Sequence, residues 1–173
     1  MIQSPIHKAL STFRNSSAQF LLMGGQACIL YGGAEFSRDI DLSIGEIGLL
    51  SLPDLVCAKK TQREKDWPMI RRLVETDISA NLAQADEPRI VFWLEECRTP
   101  ILLSALAKNH PTLCKRVMTR RALLETAITG DLVVLEDLLH NEEKAEREID
   151  RMYWQPLRME LEQWRRQCKE QGA

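Results

Sequence analysis

The residues of this chain whose types and spacing could do chemistry are Gly24 and Gly25 on one side and Asp39 and Asp41 on the other. The stretch Asp39-Ile40-Asp41-Leu42-Ser43-Ile44 alternates polar and apolar residues and predicts a strand, and side chains two apart on a strand share a face. Two carboxylates held side by side repel each other, so the pair is costly unless a cation sits between them. Upstream, Gly24-Gly25 follows the apolar run Phe20–Met23 and opens a short helical segment. Such a turn lets a ligand approach the backbone closely, and the first N–H groups of the helix favour an anion. Phosphate at Gly24 and Gly25, and a metal on Asp39 and Asp41 bridging to it, is the chemistry that follows. Mg²⁺ suits that donor set, since it takes oxygen ligands at about 2.0–2.1 Å and combines one or two carboxylates with phosphate oxygens and water. Taken alone, Asp39 and Asp41 would be the polar side of an exposed strand; the upstream glycines tip the reading toward metal or nucleotide chemistry. Ser37 shares the face of Asp39, and its hydroxyl either donates to phosphate, orients a carboxylate, or is an ordinary turn hydroxyl.

The elements that must hold these residues are two strands, Phe20 to Met23 and Arg38 to Ile44, with a helix over Gly25 to Tyr31 packed against them. A turn over Gly45 to Gly48 leads to a third strand within Ile47 to Leu52. Ahead of the sheet, Ile6, Leu10 and Phe13 are at helical spacing within Met1 to Asn15. Beyond it, Pro53 suits the first turn of a helix through Leu55, Val56 and Ala58, and a second helix from near Asp66 places Trp67, Ile70, Leu73 and Val74 on one side. Further helices are expected over Glu87 to Cys97, Pro100 to Lys108, Thr119 to Ala127 and from Asp131 onward. The charge cluster Glu142 to Glu148 reads as a solvated face. Ile149, Met152, Tyr153, Leu157, Leu161, Trp164 and Cys168 then form an apolar stripe suited to docking, across Pro156, which should kink the helix or start a new one.

A strand, a Gly-Gly turn, a helix and an Asp-x-Asp strand resemble the nucleotidyltransferase superfamily of the DNA polymerase beta type. The residues that carry the resemblance are Gly24-Gly25-Gln26-Ala27 and Ser37-Arg38-Asp39-Ile40-Asp41-Leu42, and the small prokaryotic and abortive-infection toxin-type members are the most similar. The resemblance continues through Leu55 and Lys59 to Arg63, Lys65 and Asp66, covering about residues 18 to 75. It implies an α+β fold: a small nucleotidyltransferase-type mixed sheet with flanking helices, followed by a mainly helical C-terminal portion. Residues 1–80 would form a truncated nucleotidyltransferase-like core and 81–173 the helical portion. Asp39 and Asp41 become catalytic metal ligands, and Gly24, Gly25, Ser37, Lys59 and Arg63 become nucleotide-binding residues. Lys59 as a point charge and Arg63 as a planar fork would neutralise phosphate. The bland alternative for residues 59–66 is a solvated charged linker, with Asp66 capping the helix that follows. Active members also place a third carboxylate on a later strand. Here only Gly45 to Leu52 separates the Asp-x-Asp strand from the next helix, and Glu46 is the one acid within it. Glu35 stands where wider-family members often carry a basic residue.

The 173 residues suffice for one ordinary domain, or for a small domain with a helical extension. A hydrophobic content of 45% with 28% charged residues describes a water-exposed globular chain with a real core, and a formal charge of −2 gives no general attraction to nucleic acid or membrane. The longest apolar run is too short to span a bilayer, no signal-peptide pattern opens the chain, and the cytoplasm is the expected compartment. Five scattered cysteines and three distant histidines form neither a disulfide framework nor a zinc pattern. Two functions are expected from these readings. The first is binding of a nucleoside triphosphate with Mg²⁺ and transfer of a nucleotidyl group to a hydroxyl acceptor on protein or RNA. The alternative is a degenerate fold member serving as an interaction module of a toxin–antitoxin or defence system, with a protein partner or a second copy docking through the C-terminal helices.

Overall fold

The structure, a computed structural model, describes residues 20–33, 41–44 and 48–171, with side chains over 22–33 and 48–167. The helix expected over Met1 to Asn15 lies outside the described residues. Strand β1 (Phe20–Met23) runs antiparallel to β2 (Asp41–Ile44), pairing Leu22 with Leu42 and Met23 with Asp41. On its other side β1 runs parallel to β3 (Gly48–Leu49), so the order is β2-β1-β3. The ladder extends one residue further, because the Leu50 N–H donates to the Leu22 carbonyl at 3.1 Å. The expected adjacency of the first two strands is therefore met over Asp41–Ile44; Arg38 to Ile40 lie outside the described residues.

Helix α1 (Gly24–Leu30) follows β1 without an intervening residue. It ends in a Schellman turn: Gly33 N–H donates to the Cys28 carbonyl at 2.8 Å and Gly32 N–H to the Ile29 carbonyl at 3.0 Å, with Gly32 at φ +76°. That left-handed conformation suits glycine, which has no Cβ to clash. Just before it, the Tyr31 hydroxyl donates to the Leu50 carbonyl at 2.8 Å and ties the end of α1 to the end of the sheet.

From Leu52 the chain is helical. Helix α2 (Leu52–Lys59) starts where the Ser51 hydroxyl accepts the Asp54 N–H, with Pro53 in the first turn as expected. Helix α3 (Trp67–Asn81) buries Trp67, Ile70, Leu73, Val74 and Ile78, the side predicted by their spacing. Helix α4 (Glu87–Glu96) is capped by Asp86, whose carboxylate accepts the Arg89 N–H at 3.1 Å. Helix α5 (Pro100–Asn109) follows as expected. The next segment departs from the expectation. In place of one helix over Thr119 to Ala127 there are two, α6 (Pro111–Met118) and α7 (Leu124–Thr129). Pro111 lacks an N–H and is preset for a first turn, so it starts α6, and Cys114 and Val117 three apart give that helix a buried side. The break after α6 sets Arg121 into the interior, where it is 6% exposed.

Helix α8 (Leu132–Gln171) runs through Pro156 without interruption. Proline removes one intrahelical bond, but residues 151–167 are exposed on every side, so water satisfies the freed carbonyl. A single buried cluster joins Ala27 and Cys28 of α1 to Leu55, Leu73, Trp93, Leu103, Val117, Leu124 and Leu139, drawing on both sides of residue 80. The result is a mostly helical chain carrying a small mixed sheet. Each fully buried leucine or isoleucine in the cluster stabilises it by about 1.5–3 kcal/mol, and truncating Leu73 to alanine costs about 2–5 kcal/mol.

Candidate functional site

The glycine pair sits at the junction of β1 and α1. Gly24 is buried and has φ +66°, a left-handed conformation in which the chain turns from strand into helix at once. Across the antiparallel ladder Met23 faces Asp41, so the backbone of Asp41 lies beside the residue that precedes Gly24. The structure thus brings Gly24, Gly25 and the acid-bearing end of β2 to one end of the sheet. Asp39 and Ser37 lie outside the described residues, as does the side chain of Asp41. Helix α1 has seven residues, too short for an appreciable dipole, so any hold on phosphate there rests on the backbone N–H groups of the turn. Among the described residues no three His, Cys, Asp or Glu side chains are grouped to hold a metal, and β1 and β3 carry no acid.

Lys59 and Arg63 part company. The Lys59 side chain is 17% exposed, with its Nζ 3.9 Å from an Asp66 oxygen. Helix α2, which carries Lys59, packs on α1, and both charges act on Cys28, one helical turn beyond Gly24. Burial pushes the Cys28 thiol up, against the pull of Lys59. Arg63 is exposed, and its backbone N–H donates to the Thr61 hydroxyl oxygen at 3.1 Å. Its guanidinium has no ion-pair partner among the described residues.

Asp66 is not the helix cap its sequence position implies. It occupies the N-cap position of α3 but makes no capping bond, because its carboxylate accepts the Thr61 hydroxyl at 2.8 Å and faces Lys59. Nor is the 59–66 segment a solvated linker. Lys60 Nζ lies 2.8 and 2.7 Å from the two Glu96 oxygens, Gln62 N–H donates to Asp150 at 2.7 Å, and Trp67 Nε1 donates to the Thr61 carbonyl at 2.9 Å. The segment is a strut between α4 and α8.

The charge cluster on α8 is corrected in the same way. Arg98, 3% exposed, donates to Glu142 at 2.7 Å and to both oxygens of Glu146 at 2.9 Å, and its guanidinium carbon lies 5.1 Å over the Trp67 ring. Arg121 donates to both Glu142 oxygens at 2.9 and 2.7 Å and to the carbonyls of Leu94 and Cys97, closing the C-terminal end of α4. Glu142 and Glu146 are therefore counterions for buried arginines rather than a solvated face. Burial pushes the Glu142 carboxyl up, but the hydrogen bonds and charge of Arg121, with Arg98 and Lys60, outweigh it and hold the group below its usual value. For Glu96 burial prevails over Lys60 and raises the carboxyl.

A polar cleft of about 370 Å³ opens beside this network, lined by Trp67, Arg71, Arg72, Glu75, Arg98 and Glu143 among others. A second of about 270 Å³ shares Arg71, Arg98 and Glu143. Three arginines face Glu64, Glu75 and Glu143 in the first cleft, so its charges balance and it has no bias toward an anion. No local pattern marks Arg98, which gains its importance only from burial against segments 44 and 48 residues away. Cys28, Cys57, Cys97 and Cys114 are free thiols, and among the described residues no helix is long and apolar enough to cross a membrane. Compared with protein-family models, with curated proteins and with solved structures, the chain finds no match.

Proposed function

We propose that the chain is a nucleotidyltransferase-fold protein that binds a nucleoside triphosphate with Mg²⁺ and transfers the nucleotidyl group to a hydroxyl acceptor on protein or RNA. The observation that supports this reading best is the register of β1 and β2, which sets Asp41 beside the turn at Gly24 and Gly25. A phosphate seated on the N–H groups of that turn is then close to Asp41 at the head of β2. Asp41, with Asp39 two residues before it in the sequence, offers a donor set that fits Mg²⁺, whose chemistry is to offset negative charge on phosphate oxygens. Lys59, on the same side of the fold, adds a positive charge toward a triphosphate, while exposed Arg63 is free to reach one.

A second reading has its own observation. β1 and β3, the neighbours in the described sheet, carry no carboxylate, and two-metal transfer sites ordinarily gather more acids than two. That favours a catalytically degenerate member acting as an interaction module, of the kind found in toxin–antitoxin or defence systems. Titration of the purified protein with each nucleoside triphosphate, with and without Mg²⁺, separates the two. Metal-dependent binding supports the transferase, and no binding at millimolar nucleotide supports the module.

A further inference from the structure

Lys59 and Lys60 are neighbours that carry the same group, yet the fold turns them in different directions. Lys59 is the last residue of α2 and Lys60 its C-cap, so their side chains leave the helix end about 100° apart. Lys59 faces Asp66 and acts on Cys28 of α1. Lys60 turns away to two other helices: its Nζ lies 2.8 and 2.7 Å from the Glu96 oxygens at the end of α4 and 3.6 Å from a Glu146 oxygen on α8. All three of these side chains are largely buried, so their attraction is screened less than that of a surface pair.

Lys59 has little of its own to fix it. The nearer Asp66 oxygen is 3.9 Å from its Nζ, beyond hydrogen-bond reach, and the other accepts the Thr61 hydroxyl. A lysine stem is flexible, so the direction of Lys59 follows from the backbone beneath it. That backbone is gripped from outside the segment at two points, the Lys60 ammonium and the Gln62 N–H, which donates to Asp150 of α8 at 2.7 Å. Glu146 and Asp150 are four residues apart, on one face of α8. The other bonds, Thr61 to Asp66 and Trp67 to the Thr61 carbonyl, join the segment only to the start of α3, and the Glu64 carboxylate that reaches Arg147 is open to water.

We infer that Lys60 and Asp150 are positioning residues, which hold the strut against α4 and α8 so that Lys59, and not Lys60, faces the triphosphate. The inference rests on the nucleotide reading for its ligand, but the hold on Lys59 is measurable without one. The rate at which acetic anhydride acetylates Lys59 in the folded chain, read by mass spectrometry, should rise at least about threefold in Lys60→Met and in Asp150→Ala. It should stay parental in Lys60→Arg, and exposed Lys115 should react equally in all four proteins. Lys60→Met should fold, because burial already raises Glu96, which takes up a proton once its partner is gone.

Calorimetric titration with a nucleoside triphosphate and Mg²⁺ is the second arm. Lys60→Met and Asp150→Ala should each weaken binding at least about threefold while Lys59 is present, and by nothing further in a Lys59→Gln background, where there is no lysine to position. Lys60→Arg should bind like the parent. Unchanged acetylation of Lys59 overturns the proposal, and so does an affinity that neither variant lowers. A loss that persists in the Lys59→Gln background also overturns it, by putting Lys60 itself on the phosphate. Raised acetylation in a protein whose parent binds no nucleotide upholds the grip on Lys59 and fails the nucleotide reading instead.

Discussion

Asp41 stands directly across the antiparallel ladder from Met23, the residue after which Gly24 turns the chain into α1. In an antiparallel pair the start of one strand adjoins the end of the other, so an acid at the head of β2 and a turn at the tail of β1 share one end of the sheet. That relationship gives the glycine pair and the acid a common location, although Met23 and Asp41 are 18 positions apart in the chain.

Replacing Asp41 with asparagine is expected to abolish Mg²⁺-dependent nucleotide binding while leaving the metal-free protein as stable as the parent or slightly more so. The neutral isostere removes one metal ligand and also the repulsion of a neighbouring carboxylate. Thermal melts check both arms. At nucleotide about 100-fold above its dissociation constant the parent should gain about 2.7 kcal/mol and the variant nothing. A variant strongly destabilised without metal would make Asp41 a structural hydrogen-bonding residue.

Gly33→Ala is expected to loosen the seat of α1. A Cβ at Gly33 would stand 2.5 Å from Leu73 Cγ and 2.6 Å from its Cδ2, and Leu73 is fully buried, so it has no room to yield. Overpacking of this kind costs about 1–3 kcal/mol. Denaturant titration should show the midpoint falling with an unchanged slope. The parental midpoint would mean that α1 and α3 are less tightly packed than the contact implies.

Local pattern and distant pairing separate what the sequence disclosed from what it did not. The strand–turn–helix at Phe20 to Leu30, the proline-started helix at Pro53, the helices from near Asp66, Glu87 and Pro100, and the buried face of α3 were legible because each rests on neighbours within a few positions. The split into α6 and α7 departs from the expected single helix because Pro111 starts a helix ahead of the apolar residues on which that expectation rests. Glu142 and Asp66 were misread for another reason. Their partners, Arg98, Arg121 and Thr61, are set by tertiary contact, and a glutamate facing water has the same sequence signature as one facing a buried guanidinium. Of the candidate site, the glycine–aspartate proximity follows from strand pairing, whereas the contrast between half-buried Lys59 and exposed Arg63 rests on the tertiary contacts that the 59–66 strut makes with α4 and α8.

That contrast predicts unequal roles. Lys59→Gln should weaken triphosphate binding by at least about tenfold, near 1.4 kcal/mol, because the lysine is held on the α1 side. Arg63→Gln should weaken it less, since its exposed guanidinium is screened and loses side-chain entropy on contact. Calorimetric titration of both variants with the same nucleotide tests the order, and equal or reversed losses would place the phosphates nearer Arg63.

The network around Glu142 predicts a defined acid response. Its folded carboxyl lies below the ordinary 4.5, so the stability it contributes is present above that value and is lost as pH falls through the folded one. Glu96 has the opposite sign: its folded carboxyl lies above 4.5, so its contribution is complete below 4.5 and is lost as pH rises through the raised value. On acidification Glu96 therefore takes up its proton first and offsets part of the later loss at Glu142. Glu142→Gln at about pH 7 leaves Arg98 and Arg121 short of a counterion in the interior and should cost about 3 kcal/mol, or about 6–12 °C in melting temperature for a chain of this size. That difference from the parent should narrow as pH falls below 4.5, because the parent then loses the same charge by protonation. Glu96→Gln should behave inversely, gaining on the parent at neutral pH and converging with it in acid. Melting curves of the three proteins above and below pH 4.5 decide the matter, and a Glu142→Gln difference that stays constant at every acid pH where the parent still melts cooperatively would show that this carboxylate is not the acid-labile group of the fold.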